Sequence, residues 1–152
     1  MVGPEIPERN ATFSRFGGDD TLIADYGFWS VQARPQQATL GALILLAHGP
    51  AQSFARLEPG AHAELARVSA DIETVLGQLK YRKINYLMLM MVDPHVHFHV
   101  LPRYDGPVDF GGHTFTDPGW PGPPDLGAGP QDPTAMAHVR DTLRAAWPAT
   151  GV

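Results

Sequence analysis

The sequence predicts an α+β fold: a mainly antiparallel five-stranded sheet, one long helix and a C-terminal helix. Three observations carry that reading. Short apolar runs of strand length recur between turn signals, and a single stretch repeats its apolar residues every three or four positions. The last two strand-like runs are separated only by Asp93-Pro94. A two-residue link suits a hairpin and is too short for a parallel crossover, so those strands must run antiparallel.

Met1 to about Gly18 contains Pro4, Pro7 and Gly17-Gly18 without periodicity and reads as an arm lying over the surface or over a partner subunit. Thr21–Asp25 and Phe28–Ala33 read as two strands joined by the turn at Tyr26-Gly27. Thr39–Ala47 is a near-continuous apolar run, expected of a central strand covered on both faces and stopped by Gly49-Pro50. From Pro59 to Leu79, Leu65, Val68, Ile72, Val75, Leu76 and Leu79 form one apolar helical face, with Glu64, Arg67, Asp71 and Glu73 between them. Ile84–Val92 is the fourth strand, its Met and Leu residues read as core. His95–Arg103 is the fifth. The stretch from Asp105 through Thr116–Pro124 is too rich in Pro and Gly for regular structure, although Phe110, Phe115 and Trp120 suggest that it packs down. Asp132-Pro133 is a helix start, an N-cap followed by Pro at the first helical position, and the helix runs to about Trp147. The expected organisation is an arm over 1–18, a domain over 19–105, and a Pro/Gly-rich loop with a helix over 106–152.

Composition narrows the function. At 152 residues, with 43% hydrophobic and 18% charged residues, the chain is an ordinary soluble domain; 16 Gly and 15 Pro collect in loops. The absence of Cys removes disulfides, thiolate catalysis and sulfur-ligated zinc. A formal charge of −5 argues against nucleic-acid binding, which needs clustered Lys and Arg, but leaves room for a small anionic ligand held by local donors. No apolar run approaches the roughly 20 residues of a membrane span, and no secretory leader pattern opens the chain. No membrane partner is expected, and the expected location is cytoplasmic.

The chemistry concentrates in His95-Val96-His97-Phe98-His99-Val100. Side chains alternate across a strand, so three imidazoles would line one face and three apolar side chains the other. One reading is a metal site. Same-face neighbours stand ~6.8 Å apart, which leaves His95 and His99 ~13 Å apart at Cα and poorly placed to share an ion at ~2.1 Å. In the other reading, His97 is a nucleophile. A neutral imidazole nitrogen attacks phosphorus when its other nitrogen donates to an acceptor that fixes the tautomer, and flanking imidazoles bind phosphate oxygens or protonate a leaving group. No metal and no cofactor is required by that chemistry.

These residues, followed by Leu101-Pro102-Arg103, match the histidine triad motif, three His alternating with apolar residues, and the trailing Pro-Arg resembles the fragile histidine triad branch. The resemblance spans about Thr21 to Tyr104. It implies a nucleotide hydrolase or nucleotidyl transferase acting at an α-phosphate through a covalent nucleotidyl-histidine, and a homodimer sharing a continuous sheet. It implies His97 as nucleophile, His99 on the phosphate, His95 supporting position and protonation, and Gln32 in the place of a ribose-binding Asn, where the residue itself reads equally as an exposed Gln at the strand's end. Other substrate-binding candidates are Asn85, which either faces the pocket or caps its strand, Asp93, which either raises a neighbouring imidazole's pKa or simply turns the chain before Pro94, and Arg103, which either meets an anionic substrate or ends its strand. Two features depart from the family pattern. Gly41-Ala42 stands where Gly-His is usual, and Asp93-Pro94 where a Gly-rich loop with Gly-Gln is usual. A nucleotide-binding protein with weak turnover is therefore the alternative, with the Trp120 loop as a substitute cover for the site.

Overall fold

The structure is a computed structural model that describes residues 7–149. Its centre is a five-stranded sheet of β1 (Leu22–Asp25), β2 (Trp29–Ala33), β3 (Leu43–Ala47), β4 (Lys83–Leu87) and β5 (His97–Arg103), in the order β1-β2-β3-β5-β4. Every neighbouring pair is antiparallel. The three helices are α1 (Ala11–Arg15), α2 (Pro59–Leu76) and α3 (Pro133–Ala146). A two-stranded hairpin, β6 (Val108–Phe110) with β7 (His113–Phe115), completes the fold.

Alternation along the strands sorts the core into two layers. Trp29, Val31 and Ala33 of β2 and Leu43, Leu45 and Ala47 of β3 join Val68, Ile72, Val75 and Leu76 of α2 in the main core. Trp29 also donates its indole N–H to Ala61 O at 2.8 Å, so the largest core side chain leaves no polar atom stranded. On the opposite face Ile44 and Leu46 meet Phe13 in a smaller cluster, with Phe16 and Leu22 beside it. The helix α3 adds Ala135, Met136, Val139 and Leu143 to the main core, and Arg144 donates to Leu22 O at the β1 edge. Asp132 caps it as expected, accepting from Thr134 N at 2.8 Å.

Four expectations need correction. The fourth strand ends at Leu87 rather than Val92, because Met90 takes a left-handed backbone (φ 51) that no strand accommodates. The link to β5 is therefore residues 88–96, not a two-residue hairpin. The third strand begins at Leu43, since the chain turns through Thr39–Ala42. The Pro/Gly-rich region holds the β6–β7 hairpin, built on the Gly111-Gly112 turn, and its remainder is docked rather than loose. At Gly129 (φ 88) a Cβ would fall 1.9 Å from Gln37 O, so only glycine lets this loop lie against the β2–β3 connection.

Candidate active site

β5 lies between β3 and β4, and the pairings Leu46↔His97 and Ile44↔His99 put both imidazoles on the face away from α2. The rings are 5.2 Å apart, edge to face. His95 is not in that row. It precedes the strand, in a bend, and shares a hydrogen bond between its Nδ1 and Thr12 Oγ1 at 2.8 Å. The expected three-in-register face is thus a pair plus one imidazole at the strand's entrance.

Hydrogen bonds fix the tautomers of the pair. His97 Nδ1 lies 2.7 Å from His95 O. A carbonyl only accepts, so Nδ1 carries the proton and Nε2 keeps a free lone pair. For His99 the assignment reverses: Arg34 Nε–H donates to its Nδ1 at 3.3 Å, which leaves the ring proton on Nε2. Burial, with the Arg34 charge and His97 acting in the same direction, lowers the His99 pKa to about 4. At neutral pH His99 is therefore an uncharged donor, beside a His97 ring whose Nδ1 is engaged by the His95 carbonyl.

The N-terminal arm covers this pair. Asn10 caps α1 and also donates to Ala47 O and Gly49 O at 3.0 and 2.8 Å, which anchors the helix to the end of β3. Phe16 follows α1 and lies over both rings, its centroid 5.5 Å from His97 and 6.0 Å from His99. Arg15 pairs with Asp93 at 3.1 Å. His97 is only 2% exposed and His99 9%.

The remaining candidates are spent on holding the fold. Gln32 is fully buried, and its amide donates to Phe13 O, Gly18 O and Thr21 Oγ1, tying the arm to β2. Its Oε1 has no partner. Arg103 makes a bidentate ion pair with Asp117 at 2.7 and 3.1 Å and donates to Asn85 Oδ1 and Gly122 O at 2.7 and 2.8 Å. Asn85 and Arg103 thus secure the loop around Trp120 at the far end of β5 from His97, and further along the same stretch Leu126 O accepts from Arg34. Asp93 stays near the pair, but facing Arg15.

Sequence reasoning missed Arg34, Phe16 and Thr12. Arg34 follows Gln32 by two residues and so leaves β2 on the same face, but only the β2–β3–β5 register shows that this face meets His99. Two adjoining cavities open beside the site. One of about 460 Å³ touches His95, Arg9, Asn10 and Glu58. The other, about 520 Å³, lies around Phe28, His48 and Leu57 and touches none of the triad, so the side-chain chemistry, not volume, locates the centre. Among the described residues no three His, Asp or Glu side chains converge as a metal site.

A five-stranded antiparallel sheet, one long helix across one face and paired imidazoles on the other constitute the histidine triad fold. Solved structures carry the same architecture at low identity. A histidine triad protein from Bradyrhizobium japonicum superposes with a TM-score of 0.67 at 20% identity, over 93% of this chain and 98% of that one. One from Marinobacter aquaeolei gives 0.67 at 21%, over 89% and 96%. A hypothetical histidine triad nucleotide-binding protein from Sulfolobus tokodaii gives 0.59 at 15%, over 83% and 82%. No family model and no curated protein matches the chain.

Proposed function

We propose that this chain is a histidine triad nucleotide hydrolase or nucleotidyl transferase with His97 as its nucleophile. The observation that carries the reading is the 2.7 Å bond from His97 Nδ1 to His95 O, which leaves Nε2 as the free base. Nε2 forms a bond to the α-phosphorus while the bond to the leaving group breaks, its electron pair departing with that group. His99 Nε2–H donates to a non-bridging oxygen as charge grows there. His95, at the strand's entrance, hands a proton to the leaving group. Water then attacks phosphorus and gives a proton back to His95, the P–N bond returns its electrons to His97 Nε2, and a nucleoside monophosphate leaves. Dinucleoside polyphosphates and nucleoside phosphoramidates fit this chemistry, and no metal or other cofactor takes part. The region 19–105 carries the chemistry, and Pro102-Arg103 supports the fragile histidine triad branch.

The same reading takes the protein as a cytoplasmic homodimer. Among the described residues no helix is long and apolar enough to cross a membrane. β4 is an edge strand, and the segment after it exposes Leu89, Met91 and Val92. A second reading, a nucleotide sensor that turns over slowly, is favoured by the burial of His97 beneath Phe16. Intact-mass spectrometry separates the two: protein quenched seconds after mixing with an AMP phosphoramidate or a diadenosine polyphosphate gains one AMP mass in the wild type and none in His97→Ala. AMP binding without adduct or hydrolysis would replace the enzyme with the sensor.

A further inference from the structure

The guanidinium of Arg34 stands beside the imidazole pair, and among the described residues no carboxylate pairs with it. Its Nε–H is directed at His99 Nδ1, and its Nη1 is held by two carbonyl oxygens, Gln36 O at 2.9 Å and Leu126 O at 3.1 Å. Nη2 makes no hydrogen bond among the described residues. No Asp or Glu among them forms an ion pair with Arg34, whereas Arg9, Arg15, Arg82, Arg103 and Arg140 all have one. A cation drawn partly out of water without a counter-charge carries a desolvation cost that neutral carbonyls and an imidazole only partly offset. The backbone carbonyls fix the plane of this guanidinium, so its unbonded edge is held ready for an oxyanion, the ligand that planar N–H donors match best.

We propose that Arg34 has two roles: it positions His99 by holding it as the Nε2–H tautomer, and it is the site's anion receptor, its Nη2 taking a phosphate oxygen of the bound nucleotide. The inference rests on the phosphate chemistry assigned to His97 and adds the group that supplies the opposing charge. One residue then couples substrate charge to the donor next to the nucleophile. A nucleotide that engages Nη2 strengthens the hold on the plane from which Nε–H reaches His99.

The test uses the full chain with Arg34→Gln and Arg34→Lys, and with Gln36→Ala as the control for the loop. Gln36 Nε2 donates to Gly127 O and Ala128 O, so its removal loosens the loop that carries Leu126 O while the guanidinium itself stays in place. Titration calorimetry with AMP and with adenosine reads the receptor role. Arg34→Gln loses about tenfold or more for AMP and nothing for adenosine, Arg34→Lys recovers most of the AMP affinity, and Gln36→Ala, which keeps the guanidinium, loses less than Arg34→Gln. Side-chain nitrogen NMR reads the positioning role, since both Arg34 variants replace the single Nε2–H signature of His99 with a mixture of tautomers. AMP affinity unchanged in Arg34→Gln, or an equal loss in Gln36→Ala, overturns the receptor role alone. An unchanged His99 signature in both Arg34 variants overturns the positioning role. A wild type that binds neither AMP nor adenosine overturns the nucleotide reading and the receptor with it, and the His99 signature still decides the rest.

Discussion

At the residue scale the proposed nucleophile is oriented by main chain, not by a second side chain. His97 Nδ1 donates to the carbonyl of His95, so truncating the His95 side chain leaves that bond intact. Two activity losses of different size follow. His97→Ala removes the attacking atom, and turnover is expected to fall by about 10³-fold or more. His95→Ala removes only the proposed acid and the contact to Thr12, an expected loss of about 10²-fold. Single-turnover kinetics on folded variants check the order, and an equal loss would show that the His95 side chain does more than proton transfer. His99 gives a stability prediction. Its folded pKa, about 4, lies below the ordinary His value because burial, Arg34 and His97 oppose a charge there, with Asp93 only partly offsetting them. The unfolded chain therefore takes up a proton that the folded one refuses. This contribution is complete above about pH 6.5 and is lost as pH falls to about 4, on the order of 3 kcal/mol in all. Urea midpoints measured at pH 7 and pH 4.5 should fall with acidity, and His99→Gln should flatten the fall. His48, also lowered by burial, contributes in the same direction and leaves a residual slope.

At the scale of elements, the loop around Trp120 is attached to β5 by a buried ion pair. The Arg103 side chain is 5% exposed and that of Asp117 1%. Asp117→Ala would leave a buried guanidinium without its counter-ion, a cost of about 3–5 kcal/mol, readable as a lower urea midpoint at unchanged slope. A loss below about 1 kcal/mol would mean that water reaches Arg103. That pair also marks where the sequence stops being readable. The strands of the sheet, α2 and α3 follow from periodicity and caps, local signals that burial reinforces. Arg103 reads as a substrate contact only because its partner lies 14 residues ahead in a stretch without period. Gln32 has the same problem, since the carbonyls its amide serves belong to the arm. The five-residue α1 is too short for a hydrophobic repeat, and Asn10 was its one local sign. His95 left its expected row because Met88–Val92 reads as a continuous strand while Met90 turns the chain out of the sheet. The identity of the imidazoles was legible; their covering by Phe16 was not, because it depends on two segments brought together only by folding.

At the scale of the whole molecule the two edges of the sheet differ. β1 is flanked by α3, whose Arg144 and Arg140 donate to Leu22 O and Asp20 O. Among the described residues β4 has no such cover: Lys83 is exposed, Ile84–Leu87 are half-exposed, and the chain runs on into Met91, 87% exposed, and Val92, 78% exposed. An unpaired strand edge with free backbone donors and acceptors, next to exposed apolar side chains, is normally protected from association by charge or proline. From Lys83 to Val92 the one charged residue is Lys83, and it sits at the end far from Met91. A two-fold axis at this edge would pair β4 with its copy antiparallel, continue the sheet through two protomers and bury Met91 and Val92, using one self-complementary patch. The expected outcome is a dimer in sedimentation equilibrium at micromolar concentration. Met91→Lys with Val92→Lys should shift it to monomer by placing like charges across the axis, with the far-ultraviolet spectrum unchanged because both substitutions lie outside the core. A wild type that sediments as a monomer at about 100 μM would remove the dimer. A dimer indifferent to both lysines would move the axis away from β4. Because Leu87 of β4 pairs with His99, edge pairing also reaches the strand that carries His97, the proposed nucleophile. Turnover in the double variant therefore reads whether the second protomer merely adds stability or steadies the site.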